Sequence, residues 1–143
     1  MPVICFGQQP CGFFPKRFLY AKIQSARTLQ AQIGGKIIFF FHDSDADWRE
    51  TVTRLRDRAS HADFRLNFLQ PNRIQKKFSP LYAKGIAAGW KEETRRQLPR
   101  AMDANSPLAA IFYSVDQNMV ADFCLEIYRK MGLLDGIEVM RSG

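Results

Sequence analysis

Cysteine is scarce in this chain, at three residues in 143, and no two of them form a Cys-x-x-Cys pair. Cys5, Cys11 and Cys124 cannot all pair with one another, so no disulfide framework is expected, and a zinc knuckle lacks its ligand pattern. Histidine is scarcer still, at two. Neither His42 nor His61 has the neighbours of a catalytic triad, and no Gly-x-Ser-x-Gly occurs, which leaves an α/β-hydrolase unsupported. There is no Walker A and no Gly-x-Gly-x-x-Gly, so the common phosphate loops do not apply. No apolar run approaches the ~20 residues of a membrane span. The segment Met1-Pro2-Val3-Ile4-Cys5-Phe6 lacks the basic region and small-residue cleavage site of a signal peptide. A cytoplasmic location with no membrane partner is therefore expected.

What is present has an ordinary globular balance, 46% hydrophobic and 24% charged, which excludes a disordered chain. The length fits a single domain over residues 1–143, enough to bury roughly two-thirds of the unfolded surface. The net charge of +7 is unevenly spread. Residues 1–50 carry six basic and four acidic side chains, residues 51–100 twelve and four, and residues 101–143 three and six. The excess is confined to the middle of the chain. It either draws nucleic acid, nucleotide phosphates or acidic metabolites, or forms a solvated surface.

Hydrophobic patterning predicts alternating strands and helices. Val3 to Phe6 reads as a buried strand, and the Gly- and Pro-rich stretch Gly7 to Pro15 as a loop. Lys16 to Ile33 places Leu19, Ile23, Ala26, Leu29 and Ile33 on one helical face, with Gly34-Gly35 as the stop. Lys36 to Phe41 is apolar on both faces, as in a parallel sheet, so the three elements predict a βαβ unit. Thr51 to Arg58 reads as helix or strand. Alternation at Phe64, Leu66 and Phe68 favours a hairpin turning through Ala59 to Asp63. Ser79-Pro80 predicts a helix start, with the helix running to about Leu98 before Pro99. Ile111 to Tyr113 reads as a short strand, and Ser114 with Gln117 as a capping box. Met119, Val120, Phe123, Cys124, Ile127 and Met131 form a helical stripe, and Ile137 to Met140 a last strand.

Two motifs carry the chemistry. Gly7-Gln8-Gln9-Pro10-Cys11-Gly12-Phe13 follows the first strand and precedes a helix, where open α/β sheets bind ligands and backbone N–H groups favour anions. Gln8 and Gln9 each donate and accept, which suits a polar ligand; the purely structural reading is a polar loop closing the strand. Cys11, near the helix start, is placed where a thiolate would be favoured, whereas Cys5 and Cys124 read as inert core packing. Lys22 falls on the polar side of the helix, as a solvated residue or a phosphate contact. The second motif, His42-Asp43-Ser44-Asp45-Ala46-Asp47-Trp48-Arg49-Glu50, follows the second strand. Its four carboxylates would hold Mg²⁺ or Ca²⁺, bind an amine, orient a base, or cap a helix beginning at Trp48. An EF-hand reading fails, since Trp48 stands where glycine is required.

Taken together, these residues resemble the N-terminal region of the bacillithiol-biosynthesis cysteine-adding enzymes. That family has a strand, Gly-Gln-Gln-(Ala/Pro), a Phe and then Lys-x-x-Ser-Ala on a helix. Here those are Gly7, Gln8, Gln9, Pro10, Phe13, Lys22, Ser25 and Ala26. The family's Asp-His-Asp, aromatic, one residue and acid is matched by Asp45-Ala46-Asp47-Trp48-Arg49-Glu50. The resemblance covers roughly residues 3 to 52. Ala46 replaces the family's histidine, Cys11 and Pro15 replace glycines, and the family's enzymes are several times longer, with a long helical domain.

The resemblance implies an α/β fold with a Rossmann-like sheet, related to nucleotidyltransferases and class I synthetases, with flanking helices. It also implies a carbon–nitrogen ligase that joins the carboxyl of cysteine to an amine, with ATP or ADP and Mg²⁺ as cofactors. Gly7, Gln8, Gln9, Lys22, Ser25, Asp45, Asp47 and Glu50 are the expected ligand contacts, with Gln8, Gln9, Asp45 and Asp47 facing one cleft and no metal-ligand set assigned. The expected partner is a nucleotide or amino acid, beside a second copy or a missing helical chain. The alternative is a nucleic-acid module using Arg54, Arg56, Arg58, Arg65, Arg73, Lys76 and Lys77, with Phe78 or Tyr82 for stacking. A third reading is a non-catalytic subunit of a split enzyme, marked by an exposed apolar patch.

Overall fold

A computed structural model describes residues 1–68 and 79–143. The predicted βαβ unit is present as β1 (Val3–Gln8), α1 (Arg17–Ile33) and β2 (Lys36–Phe41), with β1 and β2 parallel. Leu19, Ile23 and Ala26 are buried along one face of α1. Leu29 and Ile33, expected on that face, are 41% and 50% exposed. Length explains this: seventeen helical residues span about 25 Å, while six strand residues span about 20 Å, so the last turn overruns the sheet. Gly35 then turns the chain at φ +90°, where a Cβ would run into the Pro2 carbonyl.

The third strand, β5 (Ile137–Arg141), pairs in parallel with β2, giving the order β1-β2-β5. Both crossovers step the same way across the sheet. Right-handed connections then put both connecting helices on one face. That face carries Ile4, Ile37, Phe39, Phe41 and Ile137, and it packs in one core with α1 and with α4 (Val120–Lys130). The ring of Phe6 stacks on that of Phe39 at 4.9 Å. The predicted stripe on α4 is buried at Val120, Phe123, Cys124 and Ile127, joined by Tyr128. The opposite sheet face leaves Val3, Phe40 and Met140 exposed, although parallel sheets are usually covered on both sides. Cys5 lies on that open face and is exposed, which corrects its reading as core packing.

The hairpin forms as β3 (Thr53–Arg56) and β4 (Asp63–Leu66), a separate two-stranded antiparallel sheet. Its turn is organised by Asp57, whose carboxylate accepts from the backbone N–H groups of Ala59 and Ser60 and from Arg100 Nε at 2.8 Å.

Three expectations on the second half are corrected. The helix predicted from Ser79 to Leu98 is broken. Only Leu81–Ala83 (a 3₁₀ turn), α2 (Trp90–Gln97) and a 3₁₀ turn at Leu98–Arg100 form. Between them the backbone is drawn into tertiary pairing: Gly85 bridges Met119, Ile86 N donates to Asn118 O, and Ala87 N donates to Phe68 O. The strand predicted at Ile111 to Tyr113 lies inside a helix, α3 (Pro107–Ser114). Ser106 caps it by accepting from Ala109 N, and Pro107 stands at its first position, a start signal that outweighs the β-propensity of Ile-Phe-Tyr. The capping box at Ser114 and Gln117 does not form. Ser114 Oγ donates back to Ile111 O, and α4 begins later, where Val120 N donates to Lys84 O. Among the described residues no helix is long and apolar enough to cross a membrane.

Two predictions follow from this architecture. A thiol reagent should modify Cys5 in the native protein and reach Cys11 and Cys124 only on unfolding; mass mapping of the labelled peptides is the check, and native labelling of Cys124 would contradict the packing. The Asp57 carboxyl is held down to about 2 from its ordinary 3.8, first by the Arg100 guanidinium and then by the two turn N–H groups. Its folded value is depressed, so its stabilising contribution is complete above about 4 and is lost as pH falls through about 2. Acid unfolding of Asp57→Asn should lack that component, and an NMR titration of the Asp57 side chain should give a midpoint near 2.

Candidate functional site at the carboxyl edge of the sheet

Because β1 and β2 are parallel, the loops after them leave the same edge of the sheet. β1 extends through Gly7 and Gln8, which are strand residues rather than loop residues. Gln8 O accepts from His42 N at 3.0 Å. Beyond it, the Gln9 side-chain amide donates to the Asp45 carboxylate and joins the two motifs directly. From α1, Lys22 Nζ donates to Gly7 O at 2.7 Å and to Gln8 Oε1 at 3.0 Å. Both acceptors are neutral, so neither offsets the ammonium with an opposite charge. Ser25 is exposed one turn further along α1.

The rest of the first loop belongs to the core. Cys11 is buried; its N–H donates to the Tyr128 hydroxyl, and its sulfur lies 3.1 Å from the same oxygen. Burial pushes the thiol pKa up, with Tyr128 and Lys16 only partly opposing the shift, so the expectation of a favoured thiolate is corrected. Gly12 turns at φ +106° against Thr53, whose Oγ1 accepts from Phe13 N at 2.8 Å. Phe13 is buried and stacks on Trp90 at 4.8 Å.

The acidic loop divides its carboxylates. Asp43 is fully buried and accepts from Arg141 Nε at 2.6 Å and from Gly143 N at 2.8 Å. Arg141 also binds Asp122. Asp43 O accepts from Tyr82 N, tying in the turn at Leu81–Ala83. Asp45 Oδ1 accepts from Asp47 N. Asp47 accepts from Arg49 N at 3.0 Å and takes two bonds from its guanidinium, which holds the Asp47 carboxyl below its ordinary value. The helix expected to begin at Trp48 is only a 3₁₀ turn, Arg49–Thr51, whose N-cap is Trp48 with no side-chain cap bond, so the capping expectation is corrected: Asp47 closes a local turn onto Arg49 instead. Glu50 uses its backbone O to receive Lys16 Nζ at 2.8 Å. Among the described residues no three His, Cys, Asp or Glu side chains gather to hold a metal ion.

Behind the loops, against the hairpin, opens a groove of about 940 Å³. Lys16, Arg17, Arg49, Arg54 and Arg65 line it, with Phe14, Phe18 and Trp48 between them. The sequence reading named Arg54 and Arg65 and missed Phe14, Lys16, Arg17, Phe18, Trp48 and Arg49 in this role. The available signal was Arg54, on a strand beside the carboxyl-edge loops. Arg56 and Arg58 are engaged elsewhere, with Asp63 and with Pro99 O. Arg73, Lys76, Lys77 and Phe78 lie outside the described residues, and Tyr82 is exposed away from the groove.

No protein-family model, curated protein or solved structure matches this chain.

The buried Asp43 carboxylate makes this edge sensitive to mutation. Asp43→Ala should cost about 3 kcal/mol, the lower end for breaking a buried ion pair, since Arg141 retains Asp122. Urea unfolding measures it, and a loss under about 0.5 kcal/mol would show that Asp43 does not hold the edge together.

Proposed function

We propose that the chain is a nucleotide- or amino-acid-binding domain of Rossmann-like character, related to the cysteine-adding enzymes of bacillithiol biosynthesis. The observation that carries this reading is the Gln9–Asp45 contact, which joins the two motif loops beyond the carboxyl ends of parallel β1 and β2. Ligands of open α/β sheets bind at that edge. In this reading the Lys22 ammonium, held by Gly7 O and Gln8 Oε1, meets a phosphate or carboxylate. The Gln8 and Gln9 amides orient the ligand's polar groups, and Asp45 receives an amine. Asp47 acts indirectly, fixing the loop through Arg49. Ala46, where the family has histidine, supplies no acid or base, so ligand binding is the core of the proposal and ligation of cysteine to an amine is the chemistry to assay.

Titration calorimetry of the full chain with ATP, ADP and cysteine tests it. At least one should bind, and Lys22→Ala should weaken that binding about tenfold, the scale of one charged hydrogen bond. Absence of heat from all three would remove the proposal.

A further inference from the structure

The groove beside the hairpin has a charge pattern that the carboxyl-edge site does not use. Among the described residues, five cations line it and no carboxylate does. Arg49 is neutralised by Asp47, and Lys16 is held by the neutral Glu50 carbonyl. Arg17, Arg54 and Arg65 make no ion pair among the described residues. Four uncompensated charges therefore converge on one open cavity.

Arg54 and Arg65 stand directly opposite each other across β3 and β4. Like charges in that register destabilise a hairpin. The next pair on the same face, Arg56 and Asp63, is complementary and lies at 3.6 Å. The hairpin thus carries one satisfied pair and one repulsive pair side by side, and the repulsive one faces the groove. An anion between the two guanidiniums would turn the repulsion into binding energy.

The aromatic rings narrow the ligand class. Phe18 is 39% exposed at the groove, with Phe14 and Trp48 half-buried along it. Phosphate-binding cations interleaved with aromatic faces are the elements of single-strand recognition, in which unstacked bases lie on the rings while the backbone follows the charge. A duplex keeps its bases stacked on one another and so offers these rings no free base face. A nucleoside monophosphate would bring only one phosphate to these four cations. We infer that this groove binds single-stranded nucleic acid. The inference does not rest on the ligand proposed for the carboxyl edge, because Gln8, Gln9, Lys22 and Asp45 do not line the groove.

Fluorescence anisotropy of the full chain with a labelled twelve-nucleotide oligo(dT) and oligo(U) tests this, with a duplex of the same length and ATP alongside. Release of counterions at four phosphates predicts about a 50-fold loss of single-strand affinity between 50 and 200 mM salt. Arg65→Glu should reduce affinity more than tenfold while leaving the thermal midpoint unchanged or higher, since it places an acid opposite Arg54. A purely structural arginine would not give that combination. Phe18→Ala should weaken binding about tenfold, and Arg96→Glu, outside the groove, should change it less than twofold. The inference is overturned by no binding at 50 mM salt, by duplex or ATP binding as tightly as the single strand, or by an Arg65→Glu variant that binds normally. Calorimetry with ATP and cysteine on Arg65→Glu separates the two proposals. Unchanged heats with lost oligonucleotide binding assign the groove alone, and absent heats with intact oligonucleotide binding remove only the carboxyl-edge reading.

Discussion

The carboxyl edge of this protein depends on one buried carboxylate. Asp43, directly after β2, has no solvent exposure and binds Arg141 at the end of β5, while its carbonyl receives Tyr82 N. A buried ion must be fully paired to be tolerated, and here the pairing joins three segments far apart in the chain. The acidic loop therefore leaves the sheet from a fixed point. Asp45 can then meet Gln9, and Trp48 can reach the groove wall. Of four clustered acids, one has become scaffold and another an arginine clamp, which leaves the edge far less negative than its sequence.

The strand order imposes a second constraint. Steps in one direction with right-handed crossovers put α1 and α4 on the same face. Core aromatics collect there, with Phe13, Phe68, Trp90, Phe112 and Phe123 in mutual contact. Phe13 belongs both to the family-like motif and to this cluster. Its place in the motif is accounted for by packing, as is that of Cys11 beside Tyr128. The motif is thus part ligand edge and part core plug, a division that spacing alone does not reveal.

The two proposed sites differ in electrostatics although they share loops. At the sheet edge, Lys22, two amides and Asp45 offer mixed polarity for a small polar ligand. In the groove the charge is of one sign, with rings between. The first loop serves both, through Gln9 on one side and Phe14 to Lys16 on the other.

The elements legible in the sequence are those whose requirements close locally. The βαβ unit, the α4 stripe and the last strand each bury one periodic face or adjoin a glycine, the hairpin turn is closed by its own Asp57, and each forms close to where the pattern puts it. The break-up of the segment from Ser79 to Leu98 was not legible, because Gly85, Ile86 and Ala87 give their backbone bonds to Met119, Asn118 and Phe68, partners that local propensity does not include. The exposure of Cys5 and the burial of Cys11 invert their sequence readings for the same reason: side-chain environment follows from which face is covered. By itself, the sequence determined the parallel βαβ core and the pairing of two polar loops at its carboxyl edge, since periodicity and loop residues act within a few turns of chain. Only the tertiary structure decided which acids stay free, which cysteine is protected and where the arginines converge, because burial and charge pairing depend on segments brought together from opposite ends of the chain.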